Sequence, residues 1–231
     1  MSHPARPTPA LACALAVAVA AAAGRSHAAT YTVDLRGSGG AFDFDKHTGT
    51  APLTTGSPYT LTLTAGPGAL DEVNATSTGL GVNGKPSGDD ATNEIDSIVA
   101  AETLTFSFNF AGRLTGFDLL NMSTSGTGGA EFEIATLTVP GGAVHRFVDA
   151  NAGTSDPQYI KLATTGSDAI AGLNFAFSAG QPFVFGIART AGLATAGYAI
   201  ETLTVEAIPE PLALGLLGPV AVTFARRPLR D

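Results

Sequence analysis

Thr103-Leu104-Thr105-Phe106-Ser107-Phe108 alternates hydroxyl and apolar side chains over six residues. Successive side chains of a β-strand point to opposite faces, so this stretch puts Leu104, Phe106 and Phe108 on one side and Thr103, Thr105 and Ser107 on the other. The pattern recurs in Tyr59-Thr60-Leu61-Thr62-Leu63-Thr64 and in Glu131-Phe132-Glu133-Ile134, where Thr and Glu are expected on the solvent side. Similar stretches at 31–35, 113–120, 143–149, 158–162, 170–177, 182–188 and 198–206 are separated by Gly, Asn, Asp and Ser clusters. That amounts to about ten short strands with no amphipathic helix between them. The chain is therefore expected to be all-β, an antiparallel two-sheet β-sandwich of the jelly-roll kind, and a parallel α/β fold is excluded. Only 66–100 breaks the alternation, and it reads as one long irregular loop.

Charge and cysteine content bound the chemistry. The 231 residues carry 20 Asp and Glu against 12 Lys and Arg. Between Ala29 and Ile208 the imbalance sharpens to eighteen acids against seven bases, Arg36, Lys46, Lys85, Arg113, Arg146, Lys161 and Arg189, a net of −11. Such a surface repels nucleic acid and anionic lipid, and nucleic acid is excluded as a partner. The single cysteine, Cys13, lies outside the strand-rich part, leaving that part without disulfides or a thiolate nucleophile. Burial of Phe, Val, Ile and Leu must supply its stability.

Both ends read as addresses. Residues 1–28 have a basic start at Arg6, an apolar run over 11–23 and small residues around Ala28, the layout of a secretory signal peptide. After the domain at 29–207, the segment 208–231 begins Ile208-Pro209-Glu210-Pro211, continues apolar over 212–225, and ends with Arg226, Arg227 and Arg230. Two prolines in three residues cannot continue a strand, and a basic cluster beyond an apolar run obeys the positive-inside bias. This tail resembles that of the PEP-CTERM family of exported bacterial proteins. The resemblance implies a C-terminal sorting helix that anchors the chain transiently in the membrane until an exosortase processes it, with Pro209, Glu210, Pro211, Arg226, Arg227 and Arg230 as the sorting motif.

The middle is similar to the globular domain that often precedes such a tail. The likeness is carried by Gly79-Leu80-Gly81-Val82, Asn93-Glu94-Ile95-Asp96, Glu102-Thr103-Leu104-Thr105-Phe106, Leu114-Thr115-Gly116-Phe117-Asp118 and the run 199–206. It implies a β-sandwich resembling carbohydrate-binding modules.

Several motifs bear on chemistry. Gly79-Leu80-Gly81-Val82-Asn83-Gly84 fits G-x-G-x-x-G, but Lys85-Pro86-Ser87-Gly88 follows where a dinucleotide site needs a helix, so a glycine-rich loop is expected. Asp89, Asp90, Asn93, Glu94 and Asp96 place five oxygen ligands within eight residues, with Glu102 beyond them. Calcium, which takes six to eight oxygens, is the one cofactor they suggest; a solvated acidic turn is the competing reading. The pairs Asp43/Asp45 and Glu131/Glu133 have strand spacing of about 6.5–7 Å but read as polar strand faces rather than glycosidase acids. His47 and His145 lie in no metal-ligand pattern, and no Ser sits in a nucleophile elbow. Tyr59, Tyr159 and Tyr198 are available for stacking on sugars, or for the core.

The expected function is that of a non-enzymatic, exported surface or extracellular-matrix protein, structural or carbohydrate-binding, with exosortase, membrane and extracellular polysaccharide as partners. The alternative is an extracellular carbohydrate-active enzyme, a glycosidase or lyase using acidic residues.

Overall fold

Alternation becomes two layers once the apolar faces are buried. The computed structural model describes residues 28–37, 40, 53–55, 59–68, 71–83, 94–97, 101–125, 127–164, 168–189 and 197–208. These hold the strands β1 (Ala29–Asp34), β2 (Leu53–Thr54), β3 (Leu61–Gly66), β4 (Glu72–Ala75), β5 (Leu80–Asn83), β6 (Ile95–Asp96), β7 (Thr103–Phe108) and β8 (Gly112–Leu120). The second half adds β9 (Thr124–Ser125), β10 (Glu131–Thr138), β11 (Val144–Val148), β12 (Tyr159–Lys161), β13 (Ala163–Thr164), β14 (Asp168–Phe177), β15 (Phe183–Arg189) and β16 (Gly197–Ala207). No helix occurs among the described residues. Residues 1–27 of the expected signal segment, Asp43/Asp45 and residues 209–231 of the expected tail lie outside them.

The first sheet runs β13-β14-β8-β16-β5-β4, with β1 and β6 also pairing to β16; the second runs β12-β11-β10-β15-β7-β3-β2, with β9 on β10. Every ladder is antiparallel except β11 with β12, which is parallel. The described part of the chain is thus all-β with two antiparallel-rich sheets, as the alternation implied.

Phenylalanines join the layers. Leu104, Phe106 and Phe108 of β7 are at most 1% exposed, whereas Thr103, Thr105 and Ser107 are half-exposed. Within the second sheet Phe106 stacks on Phe183 at 5.0 Å. Phe117 of the first sheet meets Phe147 and Phe185 of the second edge-on at 4.9 and 5.2 Å. Phe108 and Phe177 close the same core at 5.5 Å. Each fully buried ring contributes on the order of 2–3 kcal/mol by removal from water.

The structure corrects three expectations. First, 66–100 is not one irregular loop, since β4, β5 and β6 lie in it and extend the first sheet, with Leu80 opposite Ile200. Second, the glycine-rich Leu80–Asn83 is buried strand rather than loop. Its approach is close, because a Cβ on the preceding Gly79 would come within 2.8 Å of Ala199 Cβ. Third, Glu131-Phe132-Glu133-Ile134 is inverted relative to the expected polar face. Glu133 points into the domain at 1% exposure. Phe132 and Ile134 face outward into a small second cluster with Val148 and Ala152, which covers them.

The register fixes the two ends of the domain. One end collects the starts of β10, β14 and β16 and the ends of β8 and β11. The other collects the start of β1 and the ends of β7, β14 and β16.

Candidate functional site

Carboxyl groups from both sheets converge on the first of these ends. Glu133 is held by two backbone donors, Ser123 N to Oε2 and Gly197 N to Oε1, each at 2.8 Å. Burial pushes its pKa up to about 7; the two N–H donors only partly offset this, and the nearby Glu94 and Asp168 add to it. Asp168, at the first position of β14, is 8% exposed and lies against Asp149, which follows β11. Burial and the hydrogen bond between these carboxyls raise the Asp168 pKa, so the pair holds a proton well above the ordinary carboxylate range. Asp168 Oδ1 has no hydrogen-bond partner among the described residues.

Of the acidic run singled out for calcium, Asp89, Asp90 and Asn93 lie outside the described residues. Glu94 and Asp96 reach this end, but both are engaged. Glu94 Oε1 accepts from Asn121 Nδ2 at 2.7 Å, and burial raises its pKa. Asp96 is buried in β6 opposite Gly197, and its N–H donates to Glu102 Oε2 at 3.0 Å. Gly197 is required there, since a Cβ would lie 2.6 Å from Glu94 Oε2. Among the described residues no three His, Cys, Asp or Glu side chains form a group able to hold a metal. Chemically, this end holds two carboxyls, Glu133 and Asp168, whose pKa values burial raises.

A second feature is the outward face of the second sheet. One row across it runs Thr64, Thr105, Val184, Thr138, Val144, and the next runs Thr103, Gly186, Thr136, Arg146, Tyr159. Strand spacing sets these positions about 4.8 Å apart. The outward positions of these rows carry no carboxylate, whereas the outward face of the first sheet carries Asp34, Asp118 and Glu206. Tyr159 is half-exposed and meets Phe132 edge-on at 5.8 Å. Tyr198 is fully buried with its hydroxyl donating to Gly186 O at 2.7 Å, so it serves the core, and Tyr59 packs among aromatic rings at the opposite end.

A depression of about 350 Å³ lies on the other sheet, between β8 and β14, lined by Thr115, Asp118, Ile170, Gly172 and Thr204 among others. Its Asp118 accepts from Thr202 Oγ1 at 2.8 Å, and none of the raised-pKa carboxyls lines it.

Sequence reasoning put Glu133 on a polar strand face, where the structure buries it, and did not single out Asp149 or Asp168. A signal was present for the first. Phe132 and Ile134 alternate with Ala135 and Leu137 out of phase, so both faces of β10 had to be covered, and a glutamate inside that strand had to be buried.

Among the described residues these features define an all-β domain of two antiparallel-rich sheets, with acids gathered at one end and, on the outer face of the second sheet, hydroxyl-bearing rows without a carboxylate. No family model, curated protein or solved structure matches the chain.

Proposed function

We propose that this chain is an exported bacterial surface or extracellular-matrix protein. A signal peptide at 1–28 is followed by a β-sandwich of the jelly-roll kind at 29–207 and a sorting tail at 208–231. The tail carries the reading. β16 ends at Ala207 and the N–H of Ile208 closes the fold on Ala111 O at 2.9 Å. Pro209-Glu210-Pro211, the apolar run and Arg226, Arg227 and Arg230 follow immediately. Supporting the reading, the Pro-Glu-Pro run follows directly on Ile208, whose N–H makes the last described backbone hydrogen bond of the sheet, so the motif comes after the folded domain in sequence.

The domain works by binding, and its ligand is extracellular polysaccharide. Supporting this is the outer face of the second sheet. In a strongly acidic protein it offers hydroxyls, an aromatic edge at Tyr159 and the guanidinium of Arg146, for which no ion pair occurs among the described residues.

The alternative, an acid-using carbohydrate-active enzyme, draws on the raised pKa of Glu133. That carboxylate is 1% exposed with both oxygens occupied by backbone donors, which suits a structural role better.

Expression in an exosortase-bearing bacterium, with an epitope ahead of residue 208, tests the sorting. The wild type is expected as a processed, surface or released form. Replacing Pro209-Glu210-Pro211 by alanines is expected to leave an unprocessed membrane form; identical processing of both overturns the reading.

A further inference from the structure

The domain is polarised along its strands. Opposite the acidic end, the described connections at 59–60, 109–111, 139–143 and 178–182 contain no charged residue. Tyr31, Tyr59 and Phe110 cluster there, with ring centroids 5.1, 5.8 and 6.2 Å apart, all half-exposed. Ile208, 42% exposed, leaves the sheet beside them through its bond to Ala111, the residue after Phe110. Arg113 and Glu206, the charged residues of β8 and β16 toward this end among the described residues, are cross-strand partners.

Chain length then constrains the geometry. From Ile208 to Leu212, where the apolar run of the tail begins, four residues span at most about 14 Å. The headgroup layer alone occupies roughly 5–7 Å on each side of the hydrocarbon. An anchored tail therefore draws this end of the domain down onto the headgroups. Tyrosine and phenylalanine rings suit that layer, and an uncharged rim avoids the repulsion from anionic lipid that the carboxylates of the far end would meet.

We infer that the Tyr31–Tyr59–Phe110 end is a membrane-contact surface that rests on the lipid headgroups, with the acidic end directed away from the membrane. This inference rests on the proposed membrane anchoring of the tail and adds an orientation to it.

The chain has no tryptophan, so a single introduced one is a clean reporter. Full chains carrying Phe110→Trp, Tyr59→Trp or Tyr159→Trp would be reconstituted into phosphatidylcholine–phosphatidylglycerol vesicles with acyl chains either plain or brominated. The expected result is that Phe110→Trp and Tyr59→Trp lose most of their emission in brominated vesicles, while Tyr159→Trp keeps it. If the protein floats with the vesicles but all three reporters keep their emission, or all three lose it alike, the orientation is overturned while anchoring stands. Failure to float with vesicles removes the anchoring, and the inference with it. Circular dichroism of each variant confirms that the sheets are intact.

Discussion

The carboxylate of Glu133, on β10 of the second sheet, accepts the backbone N–H of Gly197, the first residue of β16 on the first sheet, at 2.8 Å. This bond staples the two layers at their acidic end with a group whose pKa rises to about 7 on folding. The folded chain holds the proton more tightly than the unfolded chain does. The contribution of Glu133 to stability is therefore greatest below the ordinary carboxylate range, falls as pH rises to about 7, and is level above it. Across that window the loss is on the order of 3 kcal/mol. Glu133→Gln removes the titration but turns an amide NH2 toward one of the two backbone donors. Denaturant melts are expected to show it less stable than wild type at pH 5, by about 1–3 kcal/mol, with a much flatter pH profile. An unchanged wild-type slope in the variant would show that Glu133 is not the titrating group.

Asp149 and Asp168 make the second carboxyl contact between the sheets, and here the substitution should stabilise. The raised pKa of Asp168 again means that folding is favoured by protons and loses stability as pH climbs past the ordinary carboxylate range. In Asp168→Asn an amide N–H donates permanently to Asp149, with no shared proton to lose. The variant is expected to match wild type at pH 5 and to exceed it at pH 8 by about 1 kcal/mol, read as a higher melting temperature. A lower melting temperature at pH 8 would contradict the shared-proton account.

Asn121 joins a backbone constraint to this end. Its φ of 68° lies in the left-handed region, and its Nδ2 donates to Glu94 Oε1. Glycine tolerates that φ, while alanine pays about 1–2 kcal/mol for it. Asn121→Ala is expected to be less stable than Asn121→Gly by about 1 kcal/mol, with both losing the hydrogen bond to Glu94. Equal melting of the two would mean that the backbone relaxes at this position.

What was legible in the chain follows from how each element is stabilised. β7 was readable to the residue because Leu104, Phe106 and Phe108 alternate with solvent-facing Thr and Ser, and a strand with one wet face announces its period. β4, β5 and β6 were not. They are two to four residues long, and their formation rests on pairing with distant partners such as Leu80 with Ile200 and Asp96 with Gly197, which no local window contains. The acidic end was half legible. Glu94 and Asp96 were flagged by their density in sequence, but Glu133, Asp149 and Asp168 come from three separate strands or strand ends and meet only through the layering of the sheets. Glu133 also defied the polar-outward rule, because β10 is covered on both faces.

Polysaccharide binding at the outer face of the second sheet has a direct test. Arg146 and Tyr159 are register partners on β11 and β12, and Thr136 and Thr138 flank them on β10. A sugar chain laid across these strands would stack a ring on Tyr159 and take hydrogen bonds from the guanidinium and the threonine hydroxyls. Because the described rows of that face bear no carboxylate in an acidic domain, a neutral chain should be preferred over an anionic one. In affinity electrophoresis, gels cast with hydroxyethylcellulose or a soluble β-glucan are expected to retard the wild-type protein, and gels cast with alginate to do so less. Arg146→Ala and Tyr159→Ala should each weaken binding by about tenfold, the loss of one charge-assisted hydrogen bond or one stacked ring. A change on the opposite sheet, Asp118→Asn, should leave binding unaltered. Retardation that survives both face variants would move the ligand elsewhere on the domain, and none in any gel would leave a purely structural matrix role.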